Sequence, residues 1–138
     1  MLWILGRFET PDFAEEDSLR LSDLKAQLVR RLSLLLDALA PTYLTVRGPW
    51  MKPDDPLAYC WHTEGESWAT MIVWSNIPTE LRSKSGKTRI ITLPCEVLLI
   101  DNRLVEHRYP EIRGPRWFFR ALSHKRPQID YDPESYRI

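Results

Sequence analysis

Leucine returns along one stretch at steps of three and four: Leu21, Leu24, Leu28, Leu32, Leu35 and Leu39. That period places all six on one face of a helix. The spacing predicts a single long core helix, with Asp17 and Ser18 as capping oxygens before it and Pro41 as its stop. Val29, Leu34 and Leu36 widen the stripe, so the helix is expected to touch more than one surface.

Around this helix the pattern is β. Residues 1–9 read as a short apolar strand broken by Thr10-Pro11-Asp12, and residues 43–46 as a strand stopped by Gly48-Pro49. Pro53-Asp54-Asp55-Pro56 is a stiff turn. Residues 57–63 and 66–74 flank Glu64-Gly65 and predict a hairpin; residues 96–100 and 103–109 flank Asp101-Asn102 and predict a second. Between them, residues 79–82 suit one helical turn and residues 89–93 a strand next to Pro94. Residues 115–122 open on a proline and read as a short helix.

The expected fold class is therefore α+β. One long helix in the N-terminal half packs on a mostly antiparallel sheet of five to seven strands, with a short C-terminal helix. A strongly bent open sheet and a barrel-like one fit the pattern equally. Residues 1–126 form a single domain on this reading, and residues 127–138 a tail lying on its surface.

A two-residue hairpin loop fixes which residues face each other. Around Glu64-Gly65 the register sets Trp61 opposite Trp68 and Tyr59 opposite Thr70, with Trp74 on the same face. Tyr59, Trp61, Trp68 and Trp74 then form an aromatic face, either a second core layer or a platform for stacking or docking. The other face carries Ala58, Cys60, Ala69, Met71 and Val73, small enough to receive the leucine helix. Around Asp101-Asn102 the register sets Glu96 opposite His107, a pair able to orient an imidazole for acid–base work.

Other chemistry is excluded by spacing. Cys60, His62, Cys95 and His107 contain the residue types of a zinc site, but no C-x-x-C spacing is present. The expected register also turns Cys95 and His107 to opposite faces, so neither metal nor cofactor is expected. Gly86-Lys87-Thr88 has the ending of a phosphate-binding loop, but Leu81 stands where that loop needs its first glycine. The chain contains no G-x-G-x-x-G, H-E-x-x-H or G-x-S-x-G. No catalytic constellation is assigned.

Composition alters this picture at one point. The chain has 138 residues, 43% hydrophobic, with 19 basic and 19 acidic groups, which excludes a diffusely basic protein. No apolar run is long enough to span a membrane, two cysteines make no disulfide scaffold, and a cytoplasmic location is expected. Resolved along the chain, however, the neutral total hides an asymmetry. Residues 103–126 carry seven basic groups, Arg103, Arg108, Arg113, Arg116, Arg120, Lys125 and Arg126, against Glu106 and Glu111. Arginine forks match phosphates and stack on bases, and Trp117, Phe118 and Phe119 lie among them, with Trp117 a candidate for stacking.

This segment predicts a non-enzymatic binding or adaptor subunit. Its expected partner is anionic: RNA or DNA first, an acidic protein second. The alternatives are a small metal-independent ribonuclease using His107 and Glu96, and a structural subunit docking through its aromatic face. The opposing expectation is that the arginines pair internally with Glu15, Glu16 and Asp17, or with Asp130, Asp132 and Glu134.

Overall fold

A computed structural model describes residues 2–9, 21–50, 59–109, 116–126 and 132–138, with positions 49 and 50 described by their backbone alone. The elements in chain order are β1 (Leu2–Arg7), α1 (Leu21–Arg31), α2 (Ser33–Leu39), β2 (Tyr43–Trp50), β3 (Thr70–Ser75), β4 (Glu80–Ser83), β5 (Arg89–Ile91), β6 (Glu96–Asp101), β7 (Val105–Arg108) and β8 (Arg116–Ser123). A 3-10 turn follows at Pro133–Tyr136.

The architecture is α+β in three layers. Five antiparallel strands form an open sheet in the order β1-β6-β3-β8-β2, and β5-β4-β7 form a separate three-stranded sheet. Neither sheet closes into a barrel. The two helices cover one face of the large sheet, where Leu24, Leu28, Leu32, Leu35, Leu36 and Leu39 pack on Ile72, Trp74, Val97, Leu99, Trp117, Phe119 and Ala121. The opposite face buries Met71, Val73, Leu98, Ile100 and Leu122 against Leu81 and Val105 of the small sheet. Both faces of the inner strands are thus covered, and all six residues of β3 are buried. No helix among the described residues is long and apolar enough to cross a membrane.

Several expectations need correction. The leucine pattern belongs to two helices, not one. Leu32 leaves the helical angles (φ −102°, ψ 11°) and turns α2, although the Leu32-to-Leu28 and Leu36-to-Leu32 backbone bonds continue across the break. The kink keeps Leu35, Leu36 and Leu39 on the sheet. The helices sit on the Ile72/Trp74 face, not on the Met71/Val73 face, because the small sheet occupies the latter. Gly48-Pro49 does not stop β2, which pairs with β8 through an irregularity between Arg47 and Trp50.

The two expected hairpins do not form. Both edges of β3 are taken, by β6 and β8, so no upstream strand has an edge to join. Gly65 and Trp68 instead close a turn of their own, Trp68 donating its N–H to the Gly65 carbonyl at 3.1 Å. Likewise β6 is filled by β1 and β3, so the chain turns at 101–104 and β7 crosses to the small sheet beside β4. Residues 80–83 are therefore a strand rather than a helical turn. The expected C-terminal helix is β8: Trp117, Phe119 and Ala121 alternate toward the helices, while Arg116, Phe118 and Arg120 point the other way. The proposed caps Asp17 and Ser18, the turn at 53–56, Ala58 and Arg113 lie outside the described residues.

Candidate functional site

The small sheet covers only part of the large one. Beside it, on the side of β8 and β2, a cleft of about 270 Å³ remains. Arg116, Phe118 and Arg120 of β8, Arg47 of β2 and Val73 of β3 line it from the large sheet; His62, Glu64, His107, Arg108 and Tyr109 line it from across. Strand alternation places the β8 pair. Positions 116 and 120 share a face because their separation is even, and Arg47 of β2 is the register partner of Phe118 between them.

Four guanidiniums around a small concavity are the site's main property. Arg116 donates from Nε to Ser75 Oγ at 3.1 Å, and its guanidinium lies 4.5 Å from the Tyr109 ring centre. No carboxylate among the described residues pairs with it. Burial lowers its pKa to about 10, with the Tyr109 hydroxyl opposing, so it remains charged at neutral pH. Arg120 pairs with Glu64 Oε2 at 2.9 Å. Arg108 holds Glu80 through two bonds of 2.7 and 3.0 Å, and its guanidinium lies 4.4 Å from the ring centre of Trp61.

The opposite wall carries the titratable groups. Residues 59–64 have no strand of their own, but His62 forms an isolated antiparallel bridge with His107, and their rings lie 4.3 Å apart. His62 Nδ1 sits 2.8 Å from the Cys60 carbonyl. A carbonyl only accepts, so Nδ1 carries the proton and Nε2 the lone pair in the neutral ring. His107 Nε2 meets Glu64 Oε1 at 3.2 Å. Glu64 is fixed in turn by Asn102, whose side chain accepts from its N–H and donates to its carbonyl.

Burial raises the Glu64 carboxyl pKa, but the His107 hydrogen bond and the Arg120 charge outweigh it and bring it to about 2. Burial lowers the His107 pKa against the pull of Glu64, which favours the neutral ring. Three atoms of residues that line the cleft, His107 Nδ1, Tyr109 Oη and Arg120 Nε, are enclosed without a hydrogen-bond partner among the described residues. Such groups in one place are uncommon in a finished interior.

The residues singled out from the sequence are therefore split. Arg108, Arg116 and Arg120 converge on the cleft. Arg103 pairs locally with Asp101, Lys125 donates to the Ala38 carbonyl, and Arg126 is exposed beyond β8. Trp117 is buried under the helices, 1% exposed. The four aromatics make no common face. Trp74 is fully buried, Trp68 stacks on His124, Tyr59 meets Tyr109 edge-on, and Trp61 lies under Arg82 and Arg108. The partner of His107 is Glu64, not Glu96, which accepts from the Leu93 N–H at 2.6 Å.

Arg47 was legible in principle, since alternation along Tyr43, Thr45 and Arg47 carries it to one face. Glu64 and His62 were not, because their positions depend on a long-range bridge. Among the described residues the arginines of this segment pair with Glu64, Glu80 and Asp101; Glu15, Glu16, Asp17 and Asp130 lie outside the described residues.

His62, Glu64 and His107 also bring one possible metal-binding atom each within 4.8 Å of one another. Compared with protein-family models, with curated proteins and with solved structures, the chain matches none.

Proposed function

We propose that the protein is a binding subunit that takes a phosphate group of RNA into the arginine cleft. The observation that carries the reading is the convergence of Arg47, Arg108, Arg116 and Arg120 on one concavity, with Arg116 lacking an acidic partner among the described residues. Guanidiniums present forked donors that match phosphate oxygens. At about 270 Å³ the cleft has room for one phosphate group of a longer chain. Because the aromatic residues do not form one platform, recognition rests on phosphate contacts rather than on a row of stacked bases.

Fluorescence anisotropy with a labelled single-stranded RNA, titrated at several salt concentrations in EDTA, tests this. Binding should weaken steeply with salt, and Arg116→Ala combined with Arg120→Ala should weaken it at least about tenfold and flatten the salt slope by about 1.4. Arg103→Ala, a change outside the cleft, should leave binding nearly unchanged. Absence of binding at low salt, or equal binding by the folded double variant, rejects the reading.

A further inference from the structure

We infer that His62, Glu64 and His107 form a binding site for a single divalent transition-metal ion, with zinc the ion of first choice. Two imidazoles and one carboxylate, with further coordination left to solvent or substrate, make up one of the ligand sets of zinc in enzymes. Here the three ligand atoms lie within 4.8 Å of one another, and one pair, His107 Nε2 and Glu64 Oε1, is 3.2 Å apart. Two atoms bound to one tetrahedral zinc at ordinary bond lengths stand roughly 3.4 Å apart, so this pair needs almost no movement to share an ion, which takes the place of the proton that His107 Nε2 donates to the carboxylate.

The second observation is the support around the ligands. Ligating histidines usually donate their other ring N–H to an oxygen, and ligating carboxylates are themselves hydrogen-bonded. His62 Nδ1 meets the Cys60 carbonyl, which leaves Nε2 as the donor to a metal. Glu64 Oε2 is held by Arg120 while Oε1 is turned to His107. His107 lacks an outer hydrogen bond of this kind, and its ring is placed instead by the backbone bridge to His62 and by burial.

The surrounding arginines oppose a bare dication. They favour one that shares the cleft with an anion, its remaining position taken by water or a phosphate oxygen. The site thus goes beyond the binding reading above and stands or falls separately from it, since metal uptake is read without RNA and RNA binding is read in EDTA.

The test uses the full chain stripped with EDTA and titrated with Zn²⁺ alone by calorimetry, and with Co²⁺ alone by visible absorption. One equivalent should bind, with the absorption of a low-coordinate cobalt complex. His62→Ala and Glu64→Gln should each lower zinc affinity at least about tenfold, and Cys60→Ser, which removes an exposed thiol nearby, should not. His107 is too buried for its removal to be informative, so the test rests on the other two ligands, with circular dichroism confirming that each variant folds. No stoichiometric uptake, uptake unchanged in folded His62→Ala and Glu64→Gln, or uptake lost in Cys60→Ser would overturn the inference.

Discussion

His62 and His107 are joined by both of their backbone hydrogen bonds, 3.1 Å from the His62 N–H and 2.9 Å from the His107 N–H, and this one bridge docks an irregular segment onto the edge of β7. It brings residues separated by 45 positions into ring contact at 4.3 Å. A wall held by so few backbone bonds depends on side chains for the remainder. Asn102, 2% exposed, supplies several of them, accepting from the Glu64 N–H and donating to the carbonyls of Glu64 and Trp68.

Asn102→Ala should therefore loosen the candidate site as well as the fold. It removes the side-chain hydrogen bonds to Glu64, Gly65 and Trp68 and leaves their backbone partners in need of water. The expected loss is about 2–4 kcal/mol, from net values near 1 kcal/mol per bond and more where a buried group is left unpaired. Urea denaturation should show the loss, and hydrogen exchange should show faster amide exchange across residues 62–69 than in the helices.

Acid should weaken the small sheet at Glu80. This buried carboxylate accepts from Arg108 and Arg89, and those bonds hold its pKa below the ordinary 4.5 despite burial. A carboxyl with a depressed folded pKa contributes stability that is complete above the unfolded value and lost as pH falls through the folded one. Stability of the native chain should thus decline below about pH 4.5. Glu80→Gln should be destabilised at pH 7, and its decline over that window should be shallower. Urea midpoints measured between pH 3 and pH 7 test both slopes.

The helix face was legible in the sequence, whereas the pairing of the strands was not. Leu24, Leu28, Leu32, Leu35 and Leu39 follow a period that only a helical face satisfies, and they are all buried. The sequence carries no comparable signal for pairing. Trp61 and Trp68 flank a good turn dipeptide, yet β3 has no free edge, and that fact resides in β6 and β8, far along the chain. The segment 115–122 misleads because both faces of β8 are covered, which removes the polar alternation that marks a half-exposed strand. Even so, Arg116 and Arg120 share a face in either reading, since a separation of four is one helical turn and also two strand repeats. That coincidence is why part of the cleft could be found from sequence, while Glu64 and His62 could not.

The leucine stripe offers a paired test of packing. Leu28 is fully buried in the helix–sheet layer, whereas Leu34, counted from the sequence as part of a widened stripe, is 73% exposed. Leu28→Ala should cost about 2–5 kcal/mol through lost burial and the cavity left behind. Leu34→Ala should stay within about 0.5 kcal/mol, as surface changes do. Equal effects in thermal or urea denaturation would contradict the kinked arrangement that separates them.

Gly48 ties β2 to the wall of the cleft. Its φ is +147°, and a Cβ there would lie 2.5 Å from Trp117 Cδ1 and 2.8 Å from the Arg116 carbonyl oxygen. Glycine meets both demands, the backbone angle and the close approach of another strand. Gly48→Ala should destabilise the protein by about 1–3 kcal/mol, because strain in φ adds to overpacking against a ring that is itself fully enclosed. The clash falls on residues 116 and 117, so relief by movement of β8 would displace Arg116. RNA affinity of the folded variant should then fall further than that of Leu28→Ala compared under conditions where both are fully native. Anisotropy and near-ultraviolet circular dichroism on the two variants measure the difference, and equal affinities would separate Gly48 from the cleft.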